Sequence, residues 1–61
     1  LKGVTMTPNY TAVVRRSGEW WIGWLEEVPG VNSQGVTREE LIDNLRSALE
    51  EALEFKQNML V

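Results

Sequence analysis

The side chains that could attack a substrate are Ser17, Ser33, Ser47 and several threonines. A hydroxyl of this kind needs an adjacent base to become a nucleophile. The chain has no His to serve as that base, and Lys2 and Lys56 lie near its two ends. It has no Cys either, so the usual ligand sets of a structural zinc site are missing. Nine acidic residues remain, and grouped carboxylates can hold magnesium. Glu26 and Glu27, however, are neighbours in a predicted strand, so they point to opposite faces. Asp43, Glu50 and Glu54 fall on the solvent side of a predicted helix, the ordinary place for solvated charge. No glycine-rich phosphate loop is present. The pattern predicts a protein that is not an enzyme, with no catalytic residue, metal or cofactor.

What then holds so small a chain together? Its 61 residues make one domain. At this size folding buries only about 60% of the surface that the unfolded chain exposes. Small scaffolds usually need a disulfide, a metal or oligomerisation. With Cys and His both absent, a partner chain is expected to be the staple. The lack of Cys and of a signal-peptide pattern points to the cytoplasm. No apolar run approaches the roughly 20 residues of a membrane span. The net charge is −3, and the one basic cluster is Arg15-Arg16. Nucleic acid is therefore not expected as a direct ligand, because phosphate neutralisation needs several cations on one face. A basic protein partner suits the acidic chain better.

The elements follow from pattern. Residues 1–8, up to Pro8, are expected to be an extension or disordered. Strands are predicted over about 9–16, 19–26 and 31–34, with Ser17-Gly18 as the turn of the first hairpin. Pro29 and Gly30 end the second strand. Thr37-Arg38-Glu39-Glu40 is a capping box, Thr37 being the N-cap and Glu40 the residue that reaches back. A helix over about 38–56 follows, its apolar stripe formed by Leu41, Ile42, Leu45, Ala48, Leu49, Ala52 and Leu53. Met59-Leu60-Val61 form an apolar tail able to dock. The predicted fold is α+β: a three-stranded antiparallel sheet (β-β-β-α) with one amphipathic helix on one face.

A turn at Ser17-Gly18 sets Arg15 opposite Trp20, Val14 opposite Trp21 and Ala12 opposite Gly23. One face then carries Tyr10, Ala12, Val14, Trp21, Gly23 and Leu25. The other carries Thr11, Val13, Arg15, Trp20, Ile22 and Trp24. A single helix covers a single face. The small pair Ala12 and Gly23 lets a helix come close, so the first face is assigned to it. Val13, Arg15, Trp20, Ile22 and Trp24 are left as an uncovered apolar patch of the kind that marks an interaction site, here self-association. A one-residue slip would exchange the faces but still leave one uncovered. Arg15 is either stacked on Trp20 or simply solvated. Base stacking on the tryptophans is a further reading, which the net charge opposes.

Three segments form an ordered set: Gly18-Glu19-Trp20-Trp21-Ile22-Gly23, then Val28-Pro29-Gly30-Val31-Asn32-Ser33-Gln34-Gly35-Val36-Thr37-Arg38-Glu39-Glu40, then Asn44-Leu45 with Ala48-Leu49. Through them the stretch from Tyr10 to about Phe55, about three quarters of the chain, resembles the HicB-like antitoxin family. That family has an aromatic strand with a small residue, a Leu-Pro-Gly, a Thr/Ser-Gln-Gly and a capped helix. The resemblance implies a partial ribonuclease-H-like domain without catalytic acids. It also implies a bacterial type II toxin–antitoxin role, masking a small basic HicA-like ribonuclease toxin. Operator binding is not implied, because the family's C-terminal DNA-binding domain has no counterpart here. The family's usual fourth strand is expected to be missing or reduced to Met59-Leu60-Val61. With the strand order three-two-one that the resemblance implies, the first strand is an edge. Thr11, Val13, Pro29, Gly30, Ser33 and Gln34 are then the candidates for toxin contact, and the tryptophan face serves a homodimer or tetramer. The alternative is a stand-alone homo-oligomeric scaffold with no toxin.

Overall fold

The computed structural model describes residues 2–7 and 9–59. Strands β1 (Lys2–Thr7), β2 (Tyr10–Ser17), β3 (Trp20–Leu25) and β4 (Asn32–Gly35) precede one helix, α1 (Arg38–Met59). Each strand pairs antiparallel with the next, in the order β1-β2-β3-β4. The class is α+β with an antiparallel sheet and one helix, but the sheet has four strands, not three.

The additional strand is the segment expected to be an extension or disordered. Its alternation explains why it folds in. Val4 and Met6 pack against the core, while Gly3 and Thr5 are exposed. Val4 lies opposite Ala12 and Thr5 opposite Thr11, and a register shift follows before Thr7 meets Tyr10. Leu1 and Pro8 of that segment lie outside the described residues. Strand β2 is therefore flanked on both sides, and the expected edge at Tyr10–Arg16 does not exist. The edges are β1 and β4.

The first hairpin turns one residue later than its sequence suggests. Ser17 pairs with Trp20, so the turn residues are Gly18 and Glu19 rather than Ser17 and Gly18. Gly18 has φ 62°, and no residue other than glycine has positive φ among the described residues. A positive φ at the first central position alone defines a type II′ turn, which glycine there makes possible and which matches the strand twist. The shift replaces Arg15–Trp20 by Arg15–Ile22, Val14–Trp21 by Val14–Gly23 and Ala12–Gly23 by Ala12–Leu25. Every partner changes by two residues, so each face keeps its members. The second turn, Val28–Val31, closes with the Val31 amide donating to the Val28 carbonyl at 3.3 Å. Gly30 has φ 91° at its third position, as a type II turn requires after Pro29.

Helix α1 starts where Thr37 caps it. The Glu40 amide donates to Thr37 Oγ1 at 3.1 Å, and the Leu41 amide donates to the Thr37 carbonyl at 3.0 Å. Leu41, Leu45 and Leu49 are buried at successive turns against Ala12, Val14, Leu25 and Val31. Each buried leucine contributes about 1.5–3 kcal/mol. Gly23 permits the approach: a Cβ there would lie 3.2 Å from Leu41 Cδ2 and 2.8 Å from the Val13 carbonyl oxygen. The helix runs to Met59, so the expected tail begins inside it. Leu60 and Val61 lie outside the described residues.

Candidate protein-binding face

The helix covers the face of Ala12, Val14, Gly23 and Leu25 and leaves the opposite face bare. Across that bare face, Val13 lies opposite Trp24, Arg15 opposite Ile22, and Ser17 opposite Trp20. Strand β4 extends the rows, with Asn32 beside Trp24 and Gln34 beside Ile22. Trp20 is 46% exposed and Trp24 38%. Val13, Ile22 and Thr11 are half-buried, shielded by neighbours within the sheet rather than by a covering layer. Ile22 and Trp24 stand next to each other on one strand, and their flanks with Asn32 and Gln34 line a shallow groove. The third tryptophan, Trp21, points the other way and packs against the core.

Arg15 is exposed, as is its neighbour Arg16. In this register Arg15 is diagonal to Trp20 and Trp24, about 7–8 Å away along the sheet, and not directly opposite Trp20. Arg16 turns back locally, its Nε donating to the Gly18 carbonyl at 3.1 Å.

The two groups of sequence-predicted residues meet only in part. Ser33 and Gln34 lie on edge strand β4 and line the same groove as Ile22 and Trp24. Thr11 and Val13 belong to the central strand and to the bare face, so no free backbone edge accompanies them. Pro29 and Gly30 are exposed at the far turn. On the helix side, Asn44 Nδ2 donates to the Gln34 carbonyl at 2.8 Å and ties α1 to β4. The sequence pattern does not single out Asn32 and Glu26 as members of the face. The Glu26 amide donates to the Thr11 carbonyl at 3.0 Å, one bond beyond the end of β3, while the Thr11 amide goes to Glu27 Oε1 and the ladder stops there. Alternation then puts the exposed Glu26 side chain on the bare face. The signal that could have found it is the even-number series Trp20, Ile22, Trp24, Glu26.

Acidic groups elsewhere are dispersed. Among the described residues no three potential ligands gather to hold a metal ion. Asp43 pairs with Arg46 at 3.5 Å on the exposed helix side. Glu27 Oε1 accepts from the Thr11 amide at 2.7 Å, and that backbone hydrogen bond holds its carboxyl below the ordinary 4.5. No described helix is long and apolar enough to cross a membrane. Compared with known protein families, curated proteins and solved structures, the chain matches none.

Proposed function

We propose that this chain is a protein-binding module of the HicB-like antitoxin type, which self-associates and masks a small basic HicA-like ribonuclease. The observation that carries the reading is the bare sheet face with Trp20 and Trp24 partly in water. An apolar surface of this kind on a chain with no Cys and no His is best accounted for by a protein partner. Strands β2, β3 and β4 followed by α1 fit the three-strands-and-helix unit of the partial ribonuclease-H-like fold, with β1 added at its side. The toxin's place is the other surface: edge strand β4, the Pro29-Gly30 turn and the exposed acids of α1, among them Glu50 and Glu51. Those charges speed the encounter with a basic enzyme more than they deepen affinity.

The test is inhibition. The purified chain is titrated into RNA cleavage by a purified HicA-like ribonuclease. Stoichiometric inhibition that slows when Glu50 and Glu51 are changed to Lys is the expected result. A chain that self-associates and leaves cleavage untouched would be a stand-alone scaffold, and the antitoxin reading would be lost.

A further inference from the structure

The bare face is charged oppositely at its two ends. Arg15 stands in the row of Ile22, and Glu26 in the row of Thr11. Four residues separate these rows along the strands, about 13 Å at the usual rise. Midway between them lies the row of Val13 and Trp24. By the same alternation Arg16 and Glu27 belong to the covered side, so Arg15 and Glu26 are the charges that mark the two ends of the bare face.

We infer that the occupant of this face is a second copy of the same chain, docked about a two-fold axis that crosses the strands at the Val13–Trp24 row. This rests on the self-association proposed above and fixes its geometry. Two copies can meet face to face with strands antiparallel or with strands parallel. A two-fold axis along the strands makes them parallel and brings Arg15 toward Arg15 and Glu26 toward Glu26. An axis across the strands makes them antiparallel. Arg15 of each copy then reaches Glu26 of the other, and Trp24 and Val13 meet their own counterparts at the centre. Like charges facing each other oppose the first arrangement, and paired opposite charges at the rim favour the second. Sheets stacked in this way lie about 10 Å apart and about 30° off alignment, a span that an arginine side chain bridges. The face measures about 20 Å by 20 Å from strand length and spacing. Two such faces bury on the order of 800 Å², below the roughly 1,200 Å² of stable interfaces, so the dimer is weak and concentration-dependent.

The experiment is sedimentation equilibrium on the full chain, on Arg15→Glu, on Glu26→Arg, and on a 1:1 mixture of the two variants. Both residues are exposed, so the fold is retained, and amide NMR spectra of each variant check it. The wild type is expected to be a dimer. Each single variant presents like charges twice across the axis and is expected to dissociate at least tenfold more readily. In the mixed dimer the acid introduced by one substitution meets the base introduced by the other. The unchanged Glu26 of the first variant meets the unchanged Arg15 of the second. The mixture is therefore expected to regain the wild-type affinity. Single variants that dimerise like the wild type, or a mixture no tighter than its components, overturn the antiparallel arrangement alone. A wild type that stays monomeric throughout removes the self-association reading as well.

Discussion

Gly35 sits against the first turn of α1 so closely that a Cβ on it would lie 2.6 Å from the Leu41 amide nitrogen. Glu40 is 3.1 Å from the same point through both its carbonyl carbon and its Cβ. The obstacle is backbone, which cannot swing aside. Gly35→Ala is therefore expected to move the helix start away from β4 and to cost about 1–3 kcal/mol or more. For 61 residues a total stability of roughly 3–9 kcal/mol is typical, so the loss is a large share. Urea unfolding followed by circular dichroism measures it. A midpoint equal to the wild type would mean that α1 does not rest on Gly35.

The cap supports the same junction from the other side. Thr37→Ala removes the oxygen that receives the Glu40 amide at 3.1 Å. The expected loss is about 1 kcal/mol. Thr37→Ser keeps the oxygen and is expected to recover most of it. Equal midpoints for the Ala and Ser variants would show that the hydroxyl contributes nothing.

Thr37, Leu41, Leu45 and Leu49 are legible in the sequence because a cap and a stripe are local patterns. So is the membership of the two sheet faces, because period two survives a shift of partner by two residues. The turn is not, because Ser17-Gly18 and Gly18-Glu19 are both plausible from composition, and only glycine at the first central position gives a type II′ turn. Strand β1 escapes the pattern although Val4 and Met6 alternate with Gly3 and Thr5 in the sequence. Gly3, Pro8 and a position at the chain's start outweigh a weak alternation, and pairing with β2 is a tertiary effect that local pattern does not encode. The edge expected at β2 follows from that omission. Glu26 reads from sequence as one of two strand neighbours pointing to opposite faces, unfit to share a metal, and not as the end of a face, because its place depends on its bond to Thr11 past Leu25.

Glu27 supplies a pH dependence with a definite sign. Its carboxylate accepts from the Thr11 amide at 2.7 Å, and its pKa in the fold lies below the ordinary 4.5. A depressed acid stabilises the fold above its unfolded value, and that contribution is lost as pH falls through the folded one. Stability is thus expected to drop on acidification below about pH 4.5, with Glu27 contributing part of the slope. Glu27→Gln keeps an acceptor oxygen without the titration, so it should flatten that part. Carbon-detected NMR titration of the Glu27 carboxyl should show a midpoint below the ordinary 4.5. A midpoint at or above that value would remove the hydrogen bond from the account.

Val13 and Trp24 face each other across β2 and β3, yet substitutions at the two should have opposite consequences. Val13 also lies opposite Gly3, so a strand stands on each side of it. The Glu26 amide's bond to the Thr11 carbonyl sets the alternation in which Val13 and Trp24 are a hydrogen-bonded pair, so a proline here has no amide to give β3 and sets its ring against the ladder. The carbonyl left without its donor costs about 1–3 kcal/mol, and the displaced strands add to that. Against a marginal domain this is enough to unfold much of the population. Trp24→Ala removes a side chain already 38% exposed. It loses cross-strand packing worth about 0.2–1 kcal/mol and keeps the backbone ladder intact. Circular dichroism and sedimentation together read the contrast. Val13→Pro is expected to lose its strand signal, whereas Trp24→Ala is expected to keep it and become monomeric. A folded Val13→Pro chain would mean that the Val13 amide is not bonded to β3, and a Trp24→Ala chain that still dimerises would mean that copies meet elsewhere than on the tryptophan face.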